Sequence, residues 1–216
     1  MSAEPDRRTA FVTGAAYGIG AASALALARD GCDVAVSELK LDDLAETIEA
    51  ITAVSARAVP VTLDLRSVAS IDRAMAEVLA AFGQLDVLIN NAGVPLTRPA
   101  VDVTEAEWDE VIDVNLKGTF FLSQQMGRHL IASDRPGCIV SIASTHGVIG
   151  LAARSTYGIS KAGVSHMTRM LAISDFLLIA RAADRARRRA RVSSRRRGSP
   201  WPSGGRPRST SPATRS

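Results

Sequence analysis

A serine, a tyrosine and a lysine occur with the order and spacing of a proton-transfer site. Tyr157 and Lys161 are four residues apart, and Ser144 lies thirteen residues before the tyrosine, after a strand-like run. If residues 155–173 form a helix, positions i and i+4 share a face, so the phenol and the ammonium group point into one cleft. A nearby cation favours the phenolate, which makes a phenol a usable acid and base near neutral pH. The serine hydroxyl can donate to a carbonyl or alkoxide oxygen, so the trio indicates carbonyl and alcohol interconversion.

Two other interpretations of these residues need consideration. A Tyr-x-x-x-Lys pair on an amphipathic helix is, by itself, most often a surface pair. His146 lies two residues after Ser144, but no GxSxG motif precedes this serine, so a Ser/His hydrolytic site is disfavoured and packing is the simpler role for the histidine.

A glycine-rich loop near the N-terminus indicates a phosphate-binding site. A short apolar run over residues 9–13 is followed by Gly14, Gly18 and Gly20, and then by an alanine- and leucine-rich helical stretch that ends near Asp30. Glycine permits a tight turn and lets backbone amides approach a pyrophosphate at a helix N-terminus, where the helix dipole favours anions. A plain turn before a helix is the alternative that the spacing alone leaves open.

Polar residues end the next three predicted strands, where parallel sheets bind ligands. They are Glu38, Asp64 and Asn90. Glu38 can accept hydrogen bonds from an adenosine ribose, and its charge would repel a 2′-phosphate, which favours NAD over NADP. Lys40 leaves NADP open, because it could contact that phosphate. Asp64 and Asn90 could instead cap a turn or a helix, a frequent use of these residue types.

The order of predicted elements indicates the fold class. Apolar runs alternate with amphipathic helical patterns, and Thr104-x-x-Glu107 reads as a capping box that opens a helix. Continuous apolar strands of this kind are typical of a parallel sheet covered on both faces. The sequence therefore predicts a doubly wound α/β, Rossmann-like sheet. The predicted strands are residues 9–13, 34–37, 59–63, 85–89 and 138–143.

Length and composition indicate one domain. The chain has 216 residues, 46% of them hydrophobic, which suffices for one sizeable core. Its two cysteines, Cys32 and Cys138, show no metal-binding spacing, so we expect a reducing compartment, the cytoplasm, and no metal. Neither a signal peptide nor an apolar stretch of bilayer length is recognisable, so a membrane partner is not expected.

The C-terminal part of the chain differs in composition from the rest. Residues 181–216 contain twelve arginines, one acidic residue and no Ile, Leu, Phe or Met, whereas residues 1–180 carry 14 basic and 21 acidic side chains, a net charge of −7. We therefore expect a domain over residues 1–174 and a basic, disordered tail over residues 175–216. Arginine runs bind phosphate without sequence preference, but no reader motif occurs, so nucleic acid is expected only as a non-specific partner.

Five motifs occur in order over residues 9–173. They are Thr13-Gly14-x-x-x-Gly18-x-Gly20, Asn90-Asn91-Ala92-Gly93, the mid-chain Asn115, Ser144 and Tyr157-x-x-x-Lys161. With these five motifs in this order, the chain resembles the short-chain dehydrogenase/reductase family. The resemblance implies an NAD(P)-dependent oxidoreductase acting on a small secondary alcohol or ketone. It also implies a homo-oligomer paired through residues 111–131 and 155–173.

The resemblance further implies a role for each motif residue. Tyr157 would be the acid and base, Ser144 would orient the substrate oxygen, Lys161 would hold the nicotinamide ribose, and Asn115 would anchor a proton-relay water. The implied cofactor contacts are Gly14, Gly18, Ile19, Gly20, Glu38, Asp64, Leu65, Asn90, Ala92, Gly93, Tyr157 and Lys161.

The resemblance stops after Ser174. Members of the family continue into a sixth strand, a proline-glycine turn, a substrate-covering loop and a seventh strand, and none of these is recognisable here, so the C-terminal strands are expected to be lacking. One hypothesis is that the tail is read in a shifted frame, which translation of the other two frames beyond Ile173 would test. A second is that the chain is a catalytically impaired, cofactor-binding remnant of such an enzyme.

Overall fold

Five parallel strands form the centre of the protein. The computed structural model describes residues 7–174. The strands are β1 (Thr9–Thr13), β2 (Asp33–Glu38), β3 (Ala58–Thr62), β4 (Val87–Asn90) and β5 (Cys138–Ser141). Their order is β3-β2-β1-β4-β5, and all four neighbouring pairs are parallel. The connections reverse direction between β1 and β4, and a crevice at such a switch point is where open α/β sheets bind ligands.

Within the described residues, six α-helices cover the sheet. They are α1 (Gly18–Arg29), α2 (Ala45–Ala53), α3 (Val68–Phe82), α4 (Glu105–Ile112), α5 (Thr119–Ser133) and α6 (Ser155–Ser174). Successive strand residues face opposite sides, so Phe11 packs with Met75 of α3 and Leu122 of α5, while Val12 packs in a second cluster with residues of α1 and α2. Burial on both faces explains the continuous apolar runs. The predicted doubly wound α/β fold is confirmed.

Local sequence signals set several helix boundaries. Ser67 begins α3, where its side chain accepts a hydrogen bond from the Ser70 amide, and Gly83 ends the helix in the left-handed conformation with φ 73°. The predicted capping box is present at α4, where Thr104 and Glu107 each accept a hydrogen bond from the other's backbone amide.

Two helical segments differ from the periodic pattern. The segment predicted as one helix over residues 41–54 begins with a 3-10 turn, Leu41–Leu44, before α2. Between α4 and α5, residues Asp113–Gly118 form a π-helical turn. A Cβ on Gly118 would lie 2.5 Å from the Leu65 carbonyl oxygen, so only glycine permits this close approach. π-Helical turns inside α-helices are frequent at functional sites, and this one carries Asn115.

The outer strand β5 is less buried than the four others. Its residues alternate between exposed and half-buried, and Val140 is 41% exposed. The predicted tail and the shifted-frame hypothesis concern residues 175–216, which lie outside the described residues. Within residues 7–174, no helix is long and apolar enough to span a membrane.

His129 is expected to make stability depend on pH. Its Nε2 atom accepts a hydrogen bond from the Leu85 amide at 3.1 Å, and burial, followed by the charge of Arg135, lowers its pKa despite the opposing charge of Asp86. The unfolded chain therefore binds more protons in the window between the two pKa values. The stabilisation by neutral His129 is fully present above the pKa of this side chain in the unfolded protein, about 6.5. It is lost as the pH falls through the lower pKa of His129 in the folded protein.

Urea denaturation at about pH 7.5 and about pH 5 measures this effect. The free energy of unfolding should fall by about 1 kcal/mol more in the wild type than in His129→Gln, the net value of one hydrogen bond. The exposed His166 provides the control, because His166→Gln should behave like the wild type. An identical pH response in His129→Gln and wild type would contradict the assignment.

Candidate active site

A cleft of about 410 Å³ lies at the carboxyl ends of β1 to β4. It joins the glycine loop after β1 to the ends of the neighbouring strands, at the switch point of the sheet. Of the predicted cofactor contacts, eight line it: Gly14, Gly18, Ile19, Glu38, Asp64, Leu65, Ala92 and Gly93. The other four predicted contacts, Gly20, Asn90, Tyr157 and Lys161, lie outside this lining.

The glycine loop has the geometry of an anion cradle. Gly14 and Gly18 have φ values of 64° and 60°, in the left-handed region that favours glycine. A Cβ on Gly20 would lie 2.1 Å from the Gly14 carbonyl oxygen, so Gly20 closes the loop against α1 rather than lining the cleft. Tyr17 begins α1 without a side-chain cap, which leaves the first helical amides without that partner at the end where the dipole favours anions.

Two residues that the sequence analysis did not assign hold this loop to the end of β4. The Asn91 Nδ2 atom donates to the carbonyl oxygens of Thr13 and Gly14, at 3.1 and 2.8 Å. The Thr13 hydroxyl accepts from the amides of Asn91 and Ala92, at 3.1 Å each. The loop is therefore fixed by its neighbour strand before any ligand binds.

Asn90 has a different environment from the one predicted. Its Nδ2 atom donates to the hydroxyl oxygens of Ser123 and Ser141, at 2.9 and 3.2 Å, and the residue is 5% exposed. The side chain thus ties β4 to α5 and β5, and Asn91 lines the cleft instead. A cofactor contact through Asn90 stays a prediction.

Asp64 forms a close pair with Arg66, which the sequence analysis missed. The backbone amide of Arg66 donates to Asp64 at 3.0 Å, and its Nε and Nη2 atoms donate at 2.9 Å each. The side-chain hydrogen bond from Arg66 is the main reason that the pKa of the Asp64 carboxyl is lowered. Both residues line the cleft, so an ionised and oriented carboxylate lies at the end of β3.

Lys161 is a buried cation beside the cleft. It is 5% exposed, its Nζ atom donates to the Ile142 carbonyl oxygen at 2.8 Å, and burial lowers its pKa. A Cβ on Gly93 would lie 3.4 Å from this Nζ atom, which places the ammonium group at the Gly93 end of the cleft. An ammonium group has three donors. Within the described part of the chain, only the Ile142 carbonyl accepts one of them, so two remain for a ligand.

Tyr157 lies one helical turn before Lys161, with its ring centroid 6.0 Å from the Nζ atom. The ring also packs edge-to-face against His146, with centroids 5.9 Å apart. His146 thus has a packing role, as expected, and contacts the tyrosine of the predicted site.

The turn that carries Ser144 lies directly against α6. The Ser144 hydroxyl accepts a hydrogen bond from the His146 amide at 3.2 Å, so its own hydrogen is free to donate elsewhere. A Cβ on Gly147 would lie 2.8 Å from the Ala162 amide nitrogen, and one on Gly158 would lie 2.8 Å from the His146 carbonyl oxygen. These two glycines let the turn approach the Tyr157–Lys161 segment.

Asn115 is fully buried and joins the loop after Gly93 to α6. Its Oδ1 atom accepts from the Val94 amide at 2.7 Å, and its Nδ2 atom donates to the Ser160 hydroxyl at 3.0 Å. Ser160, also missed from sequence, donates in turn to the Tyr157 carbonyl oxygen at 2.8 Å. Both polar atoms of the Asn115 side chain therefore have hydrogen-bond partners within the protein. The backbone carbonyl of Asn115 accepts a hydrogen bond from the Thr119 hydroxyl at 2.8 Å, and the relay water stays a prediction.

Comparison with known proteins agrees with this geometry. The family described as short chain dehydrogenase matches residues 8–174. The 2-dehydro-3-deoxy-D-gluconate 5-dehydrogenase of Escherichia coli (strain K12) is 38% identical over 165 residues, which cover 76% of this chain and 64% of that enzyme. Sorbitol dehydrogenase of Cereibacter sphaeroides is 37% identical over 163 residues, which cover 76% of this chain and 62% of that enzyme. The chain thus spans a little under two thirds of the length of these relatives.

Solved structures give the same result. A short chain dehydrogenase from Mycobacterium smegmatis superposes with a TM-score of 0.77 at 33% identity, over 80% of this chain and 72% of that one. A metagenomic short-chain oxidoreductase in complex with NADP superposes with a TM-score of 0.76 at 34% identity, over 79% of this chain and 77% of that one. The chain belongs to the short-chain dehydrogenase family, whose members are NAD(P)-dependent oxidoreductases.

Proposed function

We propose that this protein interconverts a small secondary alcohol and a ketone by hydride transfer, with NAD as the preferred cofactor. The observation that carries the proposal is Lys161, a buried ammonium group with two free donors, one helical turn from Tyr157 and next to Gly93 at the end of the cleft. A bound nicotinamide would supply or accept the hydride. The chain's own residues bind the cofactor, orient the substrate and move the proton.

The cleft residues fit a dinucleotide. We assign the pyrophosphate to the backbone of the glycine loop and the first turn of α1, because the loop is closed by glycines and the helix begins without a side-chain cap. The two free Lys161 donors suit ribose hydroxyls. The proposed contacts are Gly14, Gly18, Ile19 and Gly20 at the phosphates, Glu38 at the adenosine ribose, Asp64 and Leu65 at the adenine, Asn90 on the adenosine side, and Ala92, Gly93, Tyr157 and Lys161 along the remainder. Eight of these twelve residues line the cleft.

The proposed proton transfer uses the Tyr157 phenol. In reduction the phenol donates its proton to the substrate oxygen as the carbonyl carbon gains the hydride, and in oxidation the phenolate accepts that proton. The Lys161 ammonium group lies 6.0 Å from the centroid of the Tyr157 ring, and the free hydrogen of the Ser144 hydroxyl can donate to the same substrate oxygen. Asn115 supports the site by joining Val94 to Ser160, and its backbone carbonyl is the proposed anchor of a relay water.

Glu38 is expected to determine the cofactor preference. It lines the cleft at the end of β2, where its carboxylate would repel a 2′-phosphate. The wild type should bind NAD about tenfold or more tightly than NADP, and Glu38→Gln should remove most of that difference. Fluorescence titration of both dinucleotides measures the dissociation constants.

The exposed Glu46 of α2, outside the cleft lining, gives a matched control, because Glu46→Gln should leave the preference unchanged. Tighter binding of NADP than of NAD by the wild type would contradict the role of Glu38 and would point to Lys40 as a phosphate contact.

The proposed reaction is tested by dinucleotide titration of the full chain together with a turnover assay over secondary alcohols and ketones. We expect saturable binding of NAD and oxidation of at least one secondary alcohol. Binding without turnover would contradict the proposed reaction and leave a cofactor-binding protein. Absence of binding would contradict the assignment of the cleft.

We also propose that the protein is a cytoplasmic homo-oligomer. Both cysteines are free thiols, as expected in a reducing compartment. Ile131 and Ile159 are 45% and 50% exposed on α5 and α6, within the two segments that the family resemblance implies for pairing. Analytical ultracentrifugation of the full chain gives the oligomeric state, and a monomer at micromolar concentration would contradict this assembly.

A further inference from the structure

Arg154 immediately precedes the helix that carries Tyr157. Its carbonyl oxygen accepts the first helical hydrogen bond, from the Gly158 amide at 2.8 Å, and its side chain is half-buried. Arg154 precedes Tyr157 by three residues, directly before the first residue of α6. Ala153, just before it, has φ 57°, a left-handed conformation that alanine rarely adopts and that recurs near functional sites.

The Arg154 side chain crosses to the segment that leaves the cofactor cleft. Its Nη1 atom lies 3.5 Å from the Leu96 carbonyl oxygen, at the limit of a hydrogen bond. A second connection runs alongside, because the Arg98 amide donates to the Ala153 carbonyl oxygen at 2.8 Å. Leu96 follows Gly93 by three residues, and Gly93 lies against Lys161 and Asn115. These two contacts therefore join the residues that begin α6 to the segment that follows Gly93.

The charge of Arg154 lacks an acidic partner in the part of the chain that the structure describes. Two other arginines are paired with acidic residues, Arg66 with Asp64 and Arg98 with Glu107. Arg154 makes one long contact to a carbonyl, although a guanidinium has five N–H donors. The N-terminus of the 20-residue helix α6 adds positive potential at the same place. A half-buried guanidinium with unused donors is suited to bind an anion through charge-assisted hydrogen bonds.

We propose that Arg154 binds a carboxylate of the substrate, so that the enzyme acts on hydroxy acids and oxo acids. This inference rests on the proposed function, since it places the reacting oxygen at Tyr157 and Ser144 and the carboxylate toward Leu96. The planar guanidinium can hold a carboxylate through two parallel hydrogen bonds, which a lysine ammonium group does not reproduce. Arg154 is then a specificity-determining residue, with its Nη1 atom directed toward the Leu96 carbonyl oxygen.

Equilibrium binding to the full chain, with and without NAD, tests the inference. The probes are pyruvate, acetoacetate and laevulinate, each compared with its own amide by calorimetry at low ionic strength. In the wild type, at least one acid should bind about tenfold or more tightly than its amide. Arg154→Gln should abolish this preference and Arg154→Lys should retain part of it. Arg98→Gln, at an arginine already paired with Glu107, should leave it unchanged.

Steady-state kinetics adds a second readout. In Arg154→Gln, KM for the preferred acid should rise about tenfold with a smaller change in kcat, and the amide should be unaffected. Thermal unfolding and NAD affinity of the same variant should match the wild type. Equal binding of acids and amides by a wild type that binds NAD, or an acid preference that survives in Arg154→Gln, would overturn the role of Arg154 alone. Failure of the wild type to bind NAD would instead contradict the proposed function.

Discussion

Replacing Tyr157 by phenylalanine is expected to lower kcat by about 10²- to 10⁴-fold, the usual contribution of a general acid and base. The change removes only the phenolic oxygen. The ring that packs against His146 at 5.9 Å remains, so the fold and the dinucleotide affinity should change little. The kinetics of alcohol oxidation and a dinucleotide titration of the same variant separate chemistry from binding.

A hydroxyl elsewhere on α6 provides the control for this substitution. Thr168 is exposed and its hydroxyl donates to the Val164 carbonyl oxygen within the helix, so Thr168→Ala should keep the wild-type kcat. If Tyr157→Phe retained full turnover, a different group would have to move the proton, and the assignment of Tyr157 would be wrong.

Replacing Lys161 by methionine is expected to have the second large effect. Methionine fits the buried path of the side chain but supplies neither the cation near the phenol nor the donors beside Gly93. We therefore expect kcat/KM to fall by about 10³-fold or more, since the reaction loses a positive charge beside the reacting groups and the ligand loses two hydrogen bonds. Dinucleotide affinity should weaken as well, by about tenfold or more.

Loss of both turnover and dinucleotide affinity distinguishes Lys161 from Tyr157, because substitution of Tyr157 should leave dinucleotide affinity unchanged. Lys117 is the matched control, because it is exposed and pairs with Asp113, so Lys117→Met should preserve both readouts. Unchanged dinucleotide affinity in Lys161→Met would contradict its proposed contact with the cofactor.

The sequence predicted those features that depend on local periodicity. The strand over Thr9–Thr13, the glycine loop and α1 follow from apolar runs and glycine positions that act within a few residues. The order of strands and helices likewise predicted the doubly wound sheet, since few other arrangements bury continuous apolar strands on both faces. The π-helical turn at Asp113–Gly118 escaped detection, because one widened turn hardly changes a helical pattern.

The contacts that complete the site depend on distant residues and could not be predicted. Adjacent strand residues face opposite sides, so the choice between Asn90 and Asn91 for the cleft depends on the register of β4, which the motif alone does not fix. The packing of His146 against Tyr157 requires the close approach that Gly147 and Gly158 allow. Arg154 has no acidic partner among the described residues, and this depends on which distant residues surround it in the fold.

A crystal structure of the full chain with NAD tests the central claim most directly. We expect the dinucleotide to cross the cleft from Glu38 and Asp64 to Gly93, with its nicotinamide ribose in hydrogen-bond contact with the Lys161 Nζ atom. The Tyr157 and Ser144 hydroxyls should converge on one point beside the nicotinamide ring. A dinucleotide bound elsewhere, or a Tyr157 phenol turned away from Ser144 in the complex, would contradict the account.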